Sequence, residues 1–207
     1  MSTRLSPAER REQILAAARG LLRARTVEDL SVDAVAAAAG VSPGLVFHYF
    51  GSQREFRKAV IEAVANDLLA ELRPSPEFSA GQQLRTGLDT FTAAVARMPA
   101  LYLAIVRPGS SLSGLHSDFR SVLGEWLRAG LSRAGVTLTP ALELALAGWL
   151  AFTEEALVHW LSDDQATLSR TEIVDLCERA CRGALAAAAP SEWAGIEHAI
   201  DAAPARP

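Results

Sequence analysis

LSVDAVAAAAGVSPGLVFHYF, residues 30–50, holds two short helices and the turn that joins them. Ser31 is a preferred N-cap for a helix over Val32–Ala39, and Gly40 supplies the left-handed residue that ends it. Ser42-Pro43 opens a second helix over Pro43–Phe50, with proline at its first position and Gly51 behind it. Helix, tight turn and helix make a helix-turn-helix arrangement. Val35 and Ala36 can face Val46, Phe47 and Phe50 across a small core, and the alanines at 36–39 allow close approach. The second helix then turns Pro43, Gly44, Leu45, His48 and Tyr49 outward, where a recognition helix would meet a major groove. An ordinary helical hairpin inside a core has the same pattern, and periodicity alone leaves both open.

The same punctuation divides the rest of the chain. Ser6-Pro-Ala-Glu9 is a capping box, and Ile14, Leu15, Ala18, Leu21 and Leu22 follow at helical spacing, predicting a helix over residues 7–24. Ser52-Gln-Arg-Glu55 is a second box opening residues 52–72, which Arg73-Pro-Ser-Pro76 must break. Leu84, Leu88, Phe91, Val95 and Met98 form one stripe, and Pro99 starts a shorter helix to about residue 107. Residues 108–114 read as a loop or ragged helix start, and Phe119, Val122, Leu123, Trp126 and Leu127 mark the next helix, stopped by Gly135. Thr139-Pro140 opens a long helix over residues 140–161, and Ser169-Arg-Thr-Glu172 opens one to residue 188. After Pro190 the pattern weakens and a frayed tail is expected. No strand alternation, hairpin turn or repeat occurs, so the fold class is all-α with about nine helices.

Composition sets the limits. A chain of 207 residues and 22.0 kDa should fold to about 9,000 Å² of surface and needs no staple. Two cysteines, Cys177 and Cys181, exclude a disulfide scaffold. The longest apolar run, residues 141–152, is too short for a bilayer and contains Glu143. With no apolar leader, a cytoplasmic protein without membrane contact is expected. Residues 1–58 hold nine Arg/Lys against six Asp/Glu, and the remainder eleven against eighteen. A basic head on an acidic body points to a polyanion partner for the head alone. Gly40-Val-Ser-Pro-Gly44 matches the G-x-S-x-G nucleophile elbow, but that elbow follows a strand and uses the N–H after the serine, which Pro43 lacks. The histidines show no metal spacing, and no nucleophile–base set or phosphate loop is found. No cofactor, metal or catalytic residue is expected; the chain does not read as an enzyme.

Residues 10–60 resemble the DNA-binding domain of the TetR family of bacterial transcriptional regulators. Ser31, Val35-Ala36, Ala39-Gly40-Val41-Ser42, Gly44, Phe47-His48-Tyr49-Phe50, Ser52 and Phe56 stand in the places of the family pattern without a gap. The resemblance implies a DNA-binding head (residues 1–51), a connecting helix (52–72) and a helical effector-binding and dimerisation body within 52–207. Phe47 stands where the family often has a phosphate-touching tyrosine, Gln53 where a lysine is usual, Asp33 where a basic residue is common, and Thr26 where glycine is usual. No Lys or Arg occurs between Arg25 and Arg54. DNA backbone contacts would rest on Arg54, Lys58, Arg4, Arg10 or Arg11, the Ser31, Ser42 and Ser52 hydroxyls, and helix N-termini. Base reading would fall to Ser42, His48 and Tyr49, with Leu45 against thymine methyls.

The helix over residues 140–161 is apolar almost all round, which suggests burial on several sides and a second subunit against one of them. By the resemblance, this helix and the last predicted one dimerise; the candidate residues are Leu146, Leu150, Leu157, Leu161, Ile173, Leu176, Cys177, Ala180 and Ala184. A small-molecule effector would lie among Phe91, Tyr102, Trp126, Trp149, Phe152 and Glu155, and would be mostly apolar. Aromatics at helical spacing also read as plain core. Glu155 could meet a cationic ligand, or Arg97 or Arg107, or stay exposed. The cysteines, four apart, read as small buried hydrophobes rather than a redox pair. The expected function is a homodimeric, ligand-responsive repressor of a pseudo-palindromic DNA site. An architectural DNA-binding protein without effector and a helical ligand carrier that has lost DNA binding remain as alternatives.

Overall fold

The computed structural model describes residues 5–22, 29–107, 112–162 and 168–203, and ten helices and no strand occur among them. They are α1 (Pro7–Leu22), α2 (Val32–Ala39), α3 (Pro43–Phe50), α4 (Gln53–Leu72), α5 (Ala80–Arg97), α6 (Pro99–Val106), α7 (Ser113–Arg133), α8 (Pro140–Ser162), α9 (Arg170–Ala188) and α10 (Trp193–Asp201). Arg4, Thr26, the last two residues of the first predicted helix and residues 108–111 of the predicted loop lie outside the described residues.

The boundaries follow local chemistry. Ser6 and Glu9 exchange both capping bonds, at 2.7 and 3.3 Å, and Ser169–Glu172 does the same. Ser52 accepts the Glu55 N–H at 3.1 Å, half of its predicted box. A further complete box, Ser79–Gln82, starts α5.

Two apolar cores form. The head core joins Ile14 and Ala18 of α1, Val35 and Ala36 of α2, Val46 and Phe50 of α3, and Phe56 and Val60 of α4. The boundary expected at residues 51/52 therefore falls inside this core, because the first half of α4 fills it. The body core is built on α8 packed along α9, with α5 against α9. Trp149 Nε1 donates to the Cys177 carbonyl at 2.7 Å inside it. Both thiols are buried, and burial raises both above the ordinary cysteine value, Cys181 to about 12. Such thiols are inert at neutral pH.

The described part of the tail after Pro190, expected to fray, is ordered. It forms α10, whose Ile196 and Ile200 sink into the body core, while Arg182 holds Asp201 at 2.8 Å. Gly81 of α5 lies flush beneath it: a Cβ there would stand 2.5 Å from Asp201 Oδ1 and 3.3 Å from Ile200 Cγ2. Among the described residues no single helix is long and apolar enough to cross a membrane.

Candidate functional site

The head presents α3 on a rigid base. Gly40 sits at φ 65°, ψ 36°, and its N–H bonds back to α2 carbonyls. Ser42 Oγ accepts the Leu45 N–H at 3.2 Å, and Ser31 Oγ the Ala34 N–H at 3.1 Å. Gln13 Nε2 donates to the Ala39 carbonyl at 2.9 Å, locking α1 to the start of the turn. No atom crowds the Cβ position of Gly40. Gly40→Ala is therefore expected to cost about 1 kcal/mol, from backbone strain alone, as a lowered urea midpoint with unchanged m-value.

Pro43, Gly44 and His48 are exposed on α3, with Leu45 and Tyr49 half-buried at its edges. His48 and Tyr49 meet edge to face, 5.4 Å between centroids. Phe47, expected to share the small core, is instead 43% exposed. The core seats Val46 and Phe50 one turn apart, and Phe47 is rotated off that stripe. Ser31, Ser42 and Ser52 are exposed N-caps of α2, α3 and α4, so each combines a hydroxyl with the positive end of a helix. Arg54 is exposed, and Lys58 lies 3.8 Å from Glu62. Arg10 bonds to Gln13, and the Arg11 guanidinium stands 5.1 Å over the Phe50 ring.

Beneath the head lies a cavity of about 800 Å³ bounded by α1 and by α4 through α10. Its wall is apolar: Leu68 of α4, Phe91 of α5, Leu101 and Ile105 of α6, Phe119 and Trp126 of α7, and Trp149 of α8 all face it. Phe91 meets the Tyr102 ring edge-on at 5.8 Å and stacks on Phe119 at the same separation. Its polar lining residues include Tyr102, Thr153, His116 and Glu154, with Arg19, Asp67, Gln83 and Arg182. His116 Nε2 donates to Glu154 Oε1 at 3.0 Å, and Arg120 Nη1 to its Oε2 at 2.8 Å, bridging α7 to α8.

Four of the six residues considered for an effector, Phe91, Tyr102, Trp126 and Trp149, line this cavity together. Phe152 and Glu155 do not. Phe152 is 41% exposed, and the Glu155 side chain is 71% exposed and pairs with His159, not with Arg97 or Arg107. The buried stripe of α8 runs Leu142, Leu146, Trp149, Thr153, Leu157, which turns Glu154 inward and Glu155 out. The same stripe sorts the residues considered for a subunit face. Leu146, Leu157, Ile173 and Cys177 are buried in this chain's own core, and Leu150, Leu161, Leu176, Ala180 and Ala184 are half-buried beside it. The side of α8 left bare carries Leu144, 74% exposed, with Gly148, Ala151 and Phe152. Sequence reasoning missed Glu154, His116, Phe119 and Thr153; only the four-residue step from Trp149 to Thr153 marked any of them.

α6 belongs to both cores. Leu101 and Ile105 pack against the head, together with Leu115 of α7, while Tyr102, Leu103 and Val106 belong to the body. Arg19 of α1 and Leu22 reach the cavity rim, where Arg19 Nε contacts Asp67 of α4 at 3.2 Å.

The family profile of bacterial regulatory proteins, tetR family, matches residues 14–60, the span that holds α2, α3 and the head-core half of α4. Residues 14–60 are a TetR-family domain. The fold of the whole chain is that of TetR-family regulators. It is similar to a tetR-family transcriptional regulator from Streptomyces coelicolor at 23% identity and TM-score 0.77, over 95% of this chain and 90% of that one. A TetR-like transcriptional regulator from Rhodococcus sp. RHA1 follows at 25% identity and TM-score 0.59, over 87% of this chain and 98% of that one. The fatty acid degradation regulator FadR of Bacillus halodurans shares the fold at 15% identity and TM-score 0.55, covering 88% and 97%. No curated protein is significantly similar in sequence. The TetR-type head thus sits on a body with the helix order of those regulators, and the cavity lies where the two meet.

Proposed function

We propose that the protein is a cytoplasmic, homodimeric transcriptional repressor that binds a pseudo-palindromic DNA site and is released by a small, mostly apolar effector. The observation that carries this reading is the shared position of α6 and α4. Both line the cavity, and both pack in the head core. A molecule that changes how α6 sits against α4 therefore changes how the head sits on the body. In a dimer that alters the separation of the two α3 helices, which must match successive major grooves. The effector shifts the equilibrium only by its differential affinity for the two arrangements. A large cavity speaks against an architectural protein, which has no use for one.

The partner face on this reading is the bare side of α8, continued by Gly183 and Ala187 of α9. Small residues along both helices permit close approach of a second copy across a two-fold.

DNA reading is assigned to Ser42, Pro43, Gly44, Leu45, His48 and Tyr49, with Ser31, Ser52, Arg54 and Lys58 on phosphates. The test is a titration against palindrome-containing DNA flanking the protein's own gene, at two salt concentrations, repeated with His48→Ala. Sequence-dependent binding that the substitution weakens is expected; sequence-blind binding that vanishes with salt would sink the proposal. Few cations reach the phosphates, so the log–log salt slope is expected to be shallower than about −8 per dimer.

A further inference from the structure

Tyr102 is over nine-tenths buried, and its hydroxyl has no hydrogen-bond partner among the described residues. It belongs to the cavity wall, beside Phe91. A phenol oxygen left unpaired in an apolar wall is unfavourable until an occupant bonds to it. Burial, and then the Glu154 carboxylate, hold that hydroxyl protonated, well above the ordinary tyrosine value. At neutral pH it offers a donor.

The charged groups of the buried wall are already engaged. Glu154 is held by Arg120 and His116, Arg182 by Glu178 and Asp201, and Arg19 by Glu12 and Asp67. Glu71 and Arg97 lie exposed at the rim. An anionic group placed at Tyr102 would face the Glu154 carboxylate, and Arg97, without an ion pair among the described residues, is exposed at the rim and screened by water there. A cationic group would have to displace Arg120. The anion is desolvated without a buried partner, and the cation gains Glu154 only by taking it from Arg120. The stacked Phe91–Phe119 pair, with Trp126 and Trp149, offers flat apolar surface to a ring system.

Resting on the effector role proposed above, we infer that the cavity takes an uncharged, ring-bearing apolar molecule whose carbonyl oxygen accepts a hydrogen bond from Tyr102 Oη. Equilibrium dialysis of the full chain against three matched compounds tests this: 2-acetylnaphthalene, 2-naphthoate and 2-ethylnaphthalene. The ketone is expected to bind at least fivefold tighter than the carboxylate. Tyr102→Phe should weaken the ketone roughly fivefold, the worth of one hydrogen bond, and leave 2-ethylnaphthalene unchanged.

Carboxylate binding equal to or tighter than the ketone overturns the inference. So does an equal loss of ketone and hydrocarbon in Tyr102→Phe, which would mark a packing role. No binding of any of the three to helical, folded protein overturns it too. Ketone binding with the expected Tyr102 dependence but no change in DNA affinity leaves the ligand class standing and removes the effector role instead.

Discussion

Phe56→Ala is expected to abolish the head while sparing most of the body. Phe56 is fully buried, and its ring meets Phe50 edge-on at 5.1 Å, so it ties α4 to the last turn of α3. Truncating a buried phenylalanine costs about 3–5 kcal/mol, transfer and cavity terms together. In a small head core built from short helices that is a large share of the available stability. Urea unfolding followed by circular dichroism should show an early transition for the head that the parent lacks, with DNA binding lost at the same urea concentration. Phe56→Leu keeps most of the volume and should cost far less. A single late transition in Phe56→Ala would mean that α4 is held by the body and not by the head.

The second large effect concerns self-association, and it separates the two sides of α8. Gly148→Arg and Phe152→Glu place charge on the bare side, where neither disturbs the chain's own core. Both are expected to fold with helicity unchanged and to sediment as 22.0 kDa monomers, where the parent is expected at twice that mass. Losing the paired heads should weaken operator binding at least 100-fold, since the second contact becomes a separate bimolecular event. Leu146→Ala should behave in the opposite way. Leu146 is buried within the chain, so its truncation costs about 2–5 kcal/mol of folding stability without a direct effect on subunit contact. Dimers that survive Gly148→Arg and Phe152→Glu would remove this face from the assembly.

The contrast between those variants locates the limit of sequence reasoning. α8 is apolar on nearly every side, so it carries no polar stripe to separate an inward from an outward face. Leu146, expected at the subunit face, lies in the core, and Phe152, expected at the effector site, lies on the surface. Glu155 was the glutamate expected at a cavity, and only the packing of Trp149 and Thr153 against the rest of the body turned Glu154 inward instead. α10 was missed for a related reason. Its nine residues are too few to be helical alone, and what holds them is Ile196 and Ile200 in the core, Arg182 on Asp201, and the missing side chain of Gly81. None of those contacts is local.

What the sequence determined by itself is the all-α class, the order of nearly every helix and the helix-turn-helix head. Those features rest on short-range chemistry: serine oxygens on the N–H groups three residues ahead, proline at first turns, and glycine at φ 65° after α2. The tertiary structure alone decided which face of α8 is buried, which glutamate lines the cavity, and that α6 is shared between head and body. It also decided that about 800 Å³ stays unfilled among the central helices. A cavity is where side chains from distant parts of the chain fail to meet, and no local pattern in a sequence records that failure.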